Sequence, residues 1–336
     1  MLKKTVHRTI VQDGIRYFED VCVEKMCVRF LGVTFDKAVT WTPHLDQVVA
    51  RCNKRLNLLK VMAGSRWGAS KDVLLLVYKA LIRSLIDYGC TAYDTASQTV
   101  KSKLESIQSK ALRICCGAMV GTPTAALQVE CGQPPLAFRR QRMMADYALK
   151  VRSISDHPTA SALEDCWQSH YANYPAGREP FGVKVKKILE ETEIDEVPSA
   201  PPTPAPWVKS SSGGNLKYLQ SLKIRIRDHI TDQWQEMWDY SDTGQFYRDL
   251  HPVVDYKIKR LLRPRHKDVQ LTRLRLGHVR LGEKLHIIGK RSNPFCTACH
   301  EREDVEHYLM KCPMQQKLQQ ESVSYTHLTL PTIYSV

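Results

Sequence analysis

Apolar positions in the first thirty residues alternate only weakly, with Val21-Cys-Val-Glu-Lys-Met-Cys-Val28 reading as a short strand. Arg29-Phe-Leu-Gly-Val-Thr-Phe-Asp36 is a second strand candidate, rich in β-branched and aromatic residues. From residue 42 the period becomes helical. Thr42-Pro43 pairs an N-cap with a proline at the first helical position. Leu45, Val48, Val49, Cys52, Leu56 and Leu59 then fall on one stripe, which Gly64 can close. Ser70, with Asp72 near the positive helix end, opens a second helix. Its expected buried face is Val73, Leu74, Val77, Tyr78, Leu81, Ile82 and Leu85, and it stops before Gly89. A third helix over about 97–115 turns Val100, Leu104, Ile107, Ala111 and Leu112 inward and ends at Gly117. Thr122-Pro123 opens a short fourth, which ends near Gly132. A fifth, from Pro135 to about Val151, buries Leu136, Met143, Met144, Tyr147 and Val151 and shows Arg139, Arg140 and Arg142 on its other face. Residues 42–152 thus predict a helical bundle.

The pattern then changes. Residues 153–215 contain an acidic patch from Glu190 to Glu196, a proline-rich run from Pro198 to Pro206, and Ser210 to Gly214. Such a composition reads as a linker. Helical periodicity resumes from Leu216 to about Trp238 and again near Val253–Leu262. Trp234 and Trp238 share a face, which favours core packing over base stacking.

The 336 residues are long enough for two or three folding units, and 43% hydrophobic residues exclude a disordered chain. Net charge of +14 points to phosphate backbones or acidic membrane surfaces as partners. No apolar run is long enough to span a bilayer, and Met1-Leu-Lys-Lys4 has no apolar stretch behind it to make a signal peptide. An intracellular protein without a membrane partner is therefore expected. Eleven cysteines in such a chain are free thiols or metal ligands rather than a disulfide framework.

The strongest chemical signal is Cys296-Thr-Ala-Cys299, then His307, then Cys312, with spacing Cys-x2-Cys-x7-His-x4-Cys. Two cysteines three apart can grip one ion from a tight knuckle. His307 and Cys312, about a helical turn apart, can face it from one helix. Three thiolates and an imidazole suit one structural zinc ion, with no position left for water. His300 is an alternative ligand that fits less well because it adjoins Cys299.

The second signal is charge. Lys257, Lys259, Arg260, Arg263, Arg265, Lys267, Arg273, Arg275, Arg280 and Lys284 are opposed only by Asp268 and Glu283. Charge runs are often just solvated helix faces. Beside a zinc knuckle in a basic chain, this one predicts phosphate contacts, as do Arg139, Arg140 and Arg142. No catalytic residue is assigned. There is no Tyr/Phe-x-Asp-Asp pair for two-metal nucleotidyl transfer, no spread carboxylate set for nucleic-acid hydrolysis, and no phosphate-binding Gly-x4-Gly-Lys-Ser/Thr loop. Nothing suggests a small-molecule substrate.

Residues 30–150 resemble the region after the polymerase palm in non-LTR retrotransposon reverse transcriptases of the Jockey or I-element kind. Phe30 to Asp36, Val39-Thr-Trp41 and Pro43-His44 carry the start of the match. Leu56 to Lys60, Trp67 to Ala69, Leu76 to Arg83, Asp87 to Cys90, Lys110 to Ile114, Gly117-Ala118, Thr122-Pro123, Glu130 and Pro135-Leu136 follow in order. Leu271 to His278 and Cys296 to Pro313 resemble the tail of the same polyproteins. No one piece is specific, but the ordered set is. The resemblance implies a chain derived from an RNA-directed DNA polymerase, with RNA or DNA as partner (a template–primer or a single strand) and a nuclear location. It makes 1–41 a remnant β-hairpin at the palm–thumb junction, 42–152 a thumb-like bundle, 153–215 a linker and 216–320 a basic helical region with the knuckle. It further implies that the palm would precede residue 1 and that an RNase H unit has been lost from between the two matched blocks. Residues 321–336 resemble translated adapter sequence and are set aside as a non-native tail.

The expected fold is mainly α: a helical thumb-like bundle after a short β-hairpin, plus a small helical zinc-knuckle domain at the C-terminal end. The expected function is catalytically incomplete nucleic-acid binding. The alternative is a zinc-stabilised structural or protein-interaction module.

Overall fold

The structure, a computed structural model, describes residues 3–12, 15–24, 27–64, 67–154, 157–168, 179–194, 213–256 and 264–316. It opens with two antiparallel hairpins in separate two-stranded sheets. Strand β1 (Lys3–Gln12) pairs with β2 (Ile15–Glu24), Lys3 opposite Glu24 and Gln12 opposite Ile15. Strand β3 (Cys27–Phe30) pairs with β4 (Val33–Asp36). The sequence pattern predicts single strands over 21–28 and 29–36. The second is instead bent back on itself at Leu31-Gly32. Both residues have positive φ, 45° and 83°, as a two-residue hairpin turn matched to strand twist requires. Gly32 takes that backbone without strain, and the Tyr88 hydroxyl donates to the Leu31 carbonyl to hold the turn against the bundle.

Asp36 then organises the entry to the helices. One carboxylate oxygen accepts from Thr40 N at 2.8 Å and Thr40 Oγ1 at 2.9 Å, and the other accepts from Trp41 N at 2.9 Å. Burial alone would raise the Asp36 pKa. The Thr40 and Trp41 amide donors outweigh it and bring the carboxyl below its ordinary value. With Trp41 N taken by Asp36, Trp41 sits at the N-cap of α1 (Thr42–Met62) in a left-handed conformation, one residue before the cap predicted from Thr42.

Helix α1 buries Leu45, Val48, Cys52, Leu56 and Leu59, the predicted stripe, with Val49 partly buried. It packs on α5 (Gln98–Cys116), which buries Val100, Leu104, Ile107, Ala111 and Leu112 and ends at Gly117 with φ 69°. Between them run α2 (Lys71–Val77), a wider π-type turn (Tyr78–Arg83), α3 (Ser84–Asp87) and α4 (Cys90–Tyr93). The buried face here is Leu74, Leu75, Tyr78, Ile82 and Ile86, while Val73 is 46% exposed. The expected face included Val73 and Leu85. A π-type turn spends an extra residue per turn, so a phase read at 3.6 residues per turn slips across it. Helices α6 (Thr124–Glu130) and α7 (Leu136–Arg152) complete the bundle.

Residues 153–215 are not a plain linker. Helices α8 (Pro158–Gln168) and α9 (Phe181–Glu191) lie within them. Val185, Ile188, Leu189 and Ile194 join Met144, Ala145, Ala148 and Leu149 of α7 in a second core. Its third wall is α10 (Gly213–Asp239). Leu222, Ile226 and Ile230 of α10 enter this second core, while Trp234 and Trp238 enter the first. The four-residue spacing keeps all five on one side, so one helix ties both cores together. Each tryptophan is fully buried, and truncating such a side chain costs about 3–5 kcal/mol. The tryptophans are core residues, as their spacing predicts. The proline-rich run and residues 321–336 lie outside the described residues.

Helix α11 (Gln245–Leu250) adds Tyr247 to the first core, and Val254 follows it. The predicted helix near 253–262 is absent over 253–256, and 257–262 lie outside the described residues. Gln235 of α10 explains the irregular backbone: it donates to Pro252 O and accepts from Val254 N, both at 2.8 Å. Helices α12 (Arg265–Arg275) and α13 (Gly282–Ile287) lead into the cysteine cluster. The mainly helical fold with its short β-hairpins agrees with the expectation. Among the described residues no helix is long and apolar enough to cross a membrane.

Candidate functional site

The cysteine cluster begins at a bend. Phe295 and Arg302 form an isolated antiparallel bridge, and Cys296 N donates to Glu301 O at 2.7 Å. His300 N returns to Cys296 O at 3.1 Å, with His300 in the left-handed region at φ 58°. This tight bend sets Cys296 and Cys299 side by side. Backbone N–H groups of Ala298 and Cys299, together with His307, draw the Cys296 thiol down to about 6. A thiol so placed is poised to ionise.

The other two ligands come from a different turn. Asp304 caps it, accepting from His307 N at 2.7 Å. Residues His307–Lys311 form a π-type turn, and Cys312 N donates to His307 O at 2.8 Å. The sequence argument placed His307 and Cys312 on one α-helical face. Their separation of five residues is one too many for that, and an i to i+5 bond restores the alignment. Glu301 Oε2 lies 3.1 Å from His307 Nδ1, which orients Nε2 toward the thiols.

The four donor atoms of Cys296, Cys299, His307 and Cys312 all lie within 4.8 Å of one another. Sγ of Cys296 is 3.8 Å from Sγ of Cys312, and Sγ of Cys299 is 3.2 Å from His307 Nε2. Tetrahedral coordination at bond lengths of about 2.3 Å to sulfur and about 2.0 Å to nitrogen separates ligand atoms by roughly 3.5 Å. The observed edges fit that, and they are far too long for a disulfide. The cluster could therefore hold a metal ion. His300, the weaker alternative, is exposed and outside the set.

The knuckle is fastened to α13 through Glu303. Its amide donates to Pro294 O at 2.9 Å, its carbonyl accepts from Glu283 N at 3.1 Å, and its carboxylate pairs with Arg291 and accepts from Gly282 N at 3.1 Å. A Cβ at Gly282 would lie 2.5 Å from that carboxylate and 2.6 Å from the Arg291 guanidinium, so a larger residue there would push this ion pair aside.

The basic residues do not form one surface. Arg139 makes a two-pronged pair with Asp87 at 2.7 and 2.6 Å. Arg140 is buried against Asp94 at 2.8 Å, and Lys184 of α9 reaches the same carboxylate at 2.5 Å. Arg142 lies 3.8 Å from Asp146. Arg265 is buried, donating to Cys115 O at 2.6 Å and Ile114 O at 3.1 Å, while Arg273 donates to Gly117 O at 2.8 Å. Arg275 pairs with Glu130 at 2.6 Å. Only Lys267 and Arg280 of the nominated residues are exposed among those described. Lys257, Lys259, Arg260 and Arg263 lie outside the described residues. Arg139, Arg140 and Arg275 thus pair with carboxylates of other helices and Arg265 with carbonyls at the end of α5, so the nominated residues that the structure describes do not share one open basic face.

Glu130 is the hub that charge counting passed over. It accepts from Lys71 at 2.9 Å, Arg275 at 2.6 Å and Tyr247 Oη at 2.6 Å. Burial would raise its pKa, but Lys71 and Arg275 overcome that and hold it at about 2.

Several curated proteins match the chain. The Retrovirus-related Pol polyprotein from type-1 retrotransposable element R1 4 of Nasonia vitripennis is 21% identical over 299 residues, which cover 88% of this chain and 63% of that protein. The corresponding R1 polyprotein of Bradysia coprophila is 20% identical over 303 residues, 87% of this chain and 24% of that protein. The RNA-directed DNA polymerase from mobile element jockey of Drosophila melanogaster is 22% identical over 134 residues, 40% of this chain and 14% of that protein. The chain thus spans less than two thirds of each of these relatives. An alignment of 299 positions over 88% of the chain must cross residues 153–215, and it leaves no room for a nuclease-sized insertion there. The expected excision of an RNase H unit is therefore not supported by this relative. No family model matches the chain, and no solved structure does.

Proposed function

The chain is homologous over most of its length to Pol polyproteins of R1-type non-LTR retrotransposons, and over 40% of it to a jockey-type polymerase, and from that premise we propose that it serves as a non-catalytic nucleic-acid-binding part of such a polyprotein. The observation that carries this reading is the closed set of three thiols and one imidazole at tetrahedral spacing. Zinc is the ion that such a donor set suits. With four protein ligands the ion would be structural, stabilising a knuckle whose own core is a few residues deep. The excess of 49 Lys and Arg over 35 Asp and Glu supplies attraction for a polyanion. RNA or DNA is the partner, and the nucleus is the compartment where a reverse-transcribed element meets its target.

The catalytic steps named for the relatives lie outside this reading, because the sequence has no Tyr/Phe-x-Asp-Asp pair suited to two metal ions. A specific observation favours a second reading, a zinc-stabilised interaction module. Ile287, Met310 and Met314 around the knuckle are 63%, 69% and 73% exposed, an apolar rim that a protein partner could cover.

Binding of the full chain to single-stranded RNA separates the two. The nucleic-acid reading expects binding at low salt that weakens on a straight line in log–log form as salt rises, with a slope of about −0.7 per phosphate contact. Absence of binding at low salt would reject it in favour of the interaction module.

A further inference from the structure

A cleft of about 750 Å³ opens between α1, the C-terminal end of α5 and α12. Its charged lining is Lys54, Lys60, Lys110, Arg113, Arg265 and Arg273, with no aspartate or glutamate. The charges come from sequence positions that are far apart. Lys54 and Lys60 lie on the exposed side of α1, opposite its buried stripe. Lys110 and Arg113 are three apart on α5 and so share a face. Helix α12 brings the two remaining arginines across from beyond residue 264.

Most of this charge is not neutralised from within. Arg113 donates to Thr122 O at 3.2 Å, and Arg265 and Arg273 donate to the carbonyls at the end of α5. These are neutral acceptors, so each guanidinium keeps its full charge. No ion pair among the described residues involves any of the six. Burial lowers the affinity of Arg265 and Arg273 for their protons; Asp268 partly offsets this at Arg265, and the nearby Arg280 adds to it at Arg273. Six cations with only Asp268, beside Arg265, to offset them leave an excess of positive charge that an anion can complete.

We propose that this cleft binds the phosphodiester backbone of a single nucleic-acid strand. The inference rests on the nucleic-acid reading above and gives it an address. The volume is many times that of one phosphate ion, and the cations stand on three separate elements rather than closing on one point. That arrangement suits a linear polyanion. Ile114, Ala118 and the exposed Val120 give the same lining an apolar side, which the unstacked bases of a single strand would meet while its phosphates face the cations.

The test uses the full chain and a labelled oligothymidylate, with affinity followed by fluorescence anisotropy across a salt series. Lys54→Gln with Lys110→Gln removes two cleft charges at exposed positions. Lys150→Gln with Lys217→Gln removes the same charge from exposed positions away from the cleft. Thermal melting checks that both variants fold as the parent does. The cleft variant should bind roughly tenfold more weakly at moderate salt, with a salt slope shallower by about 1.4, the sum of two single-strand contacts. The control pair should match the parent. If the parent binds and the two variants lose affinity equally or not at all, the cleft assignment is overturned while the general reading stands. If the parent itself does not bind at low salt, both are overturned.

Discussion

Replacing His307 with alanine should strip the chain of its metal and unfold the segment around residues 294–312, while the helical bundle stays intact. The knuckle is a bend, one π-type turn and a short 3-10 turn, with Cys296, Val305, His307 and Cys312 as its buried residues. So little apolar surface cannot offset the entropy of ordering about twenty residues. Structural zinc contributes on the order of 10–16 kcal/mol in small knuckles at neutral pH, enough to close that gap. Removing one of four ligands opens the shell and leaves three thiols competing for protons. Elemental analysis should fall from one zinc per chain to a substoichiometric value. Hydrogen exchange should show protection lost at Cys296 and Cys312 amides but kept in α1 and α5. Acid should have the same effect as the substitution. Metal binding needs deprotonated thiols, and in the metal-free cluster the backbone N–H groups of Ala298 and Cys299 already depress the Cys296 thiol; bound zinc depresses it further, so the metal is retained at neutral pH and is lost as protons displace it in acid. Unchanged metal content in the alanine variant would remove this site from the account.

The second large effect lies at Glu130. Glu130→Ala is expected to destabilise the fold by about 3–5 kcal/mol, the usual result of removing one partner from a buried ion pair. Lys71 is left buried without its carboxylate, and Tyr247 and Arg275 lose their acceptor. These partners come from α2, α11 and α12, so the loss should loosen α12 from the bundle before global unfolding. Urea denaturation followed by tryptophan fluorescence reads the effect well, because Trp238 packs on Tyr247 with ring centroids 6.1 Å apart. The pH dependence has a fixed sign. The folded-state pKa of Glu130, about 2, is depressed from an ordinary 4.5. Its contribution is therefore fully present above about pH 4.5 and is lost as pH falls toward 2. The linked stability is about 3 kcal/mol, in line with the substitution. A loss below 1 kcal/mol, or an acid transition in Glu130→Ala identical to that of the parent, would show that the hub does not bind the helices together.

Much of the bundle is legible from spacing because burial and periodicity are the same information in a regular helix. Leu45 through Leu59 and Val100 through Leu112 show this. The reading slips where the helix is irregular. After the π-type turn at Tyr78 to Arg83 the fully buried position is Ile86, with Leu85 only partly buried against the core; in α2, before that turn, Leu75 is buried where Val73 was expected. It also fails where composition masks pattern. Helix α9 carries Val185, Ile188 and Leu189, yet it runs into an acidic patch and a proline-rich stretch, so the whole segment looks like linker.

The candidate site divides the same way. Metal ligands are visible because their chemistry and spacing are local. Ion pairs are not, because their partners lie far along the chain: Asp87 is 52 residues from Arg139, Asp94 is 46 from Arg140, and Glu130 is 145 from Arg275. Counting charge marks all of these arginines as surface. The reverse error hides Lys54, Lys60, Lys110 and Arg113, which are scattered singly in the sequence and meet only when α1 and α5 pack.

The central claim is that this chain binds nucleic acid without polymerising it. The most direct test incubates the full, zinc-loaded chain with a labelled RNA template–DNA primer carrying a single-stranded overhang, magnesium and deoxynucleotides. The products are resolved on native and denaturing gels from one reaction. The account predicts a retarded complex that dissolves as salt is raised, with the primer recovered at its starting length. An extended primer, or no retarded complex at low salt, would contradict it.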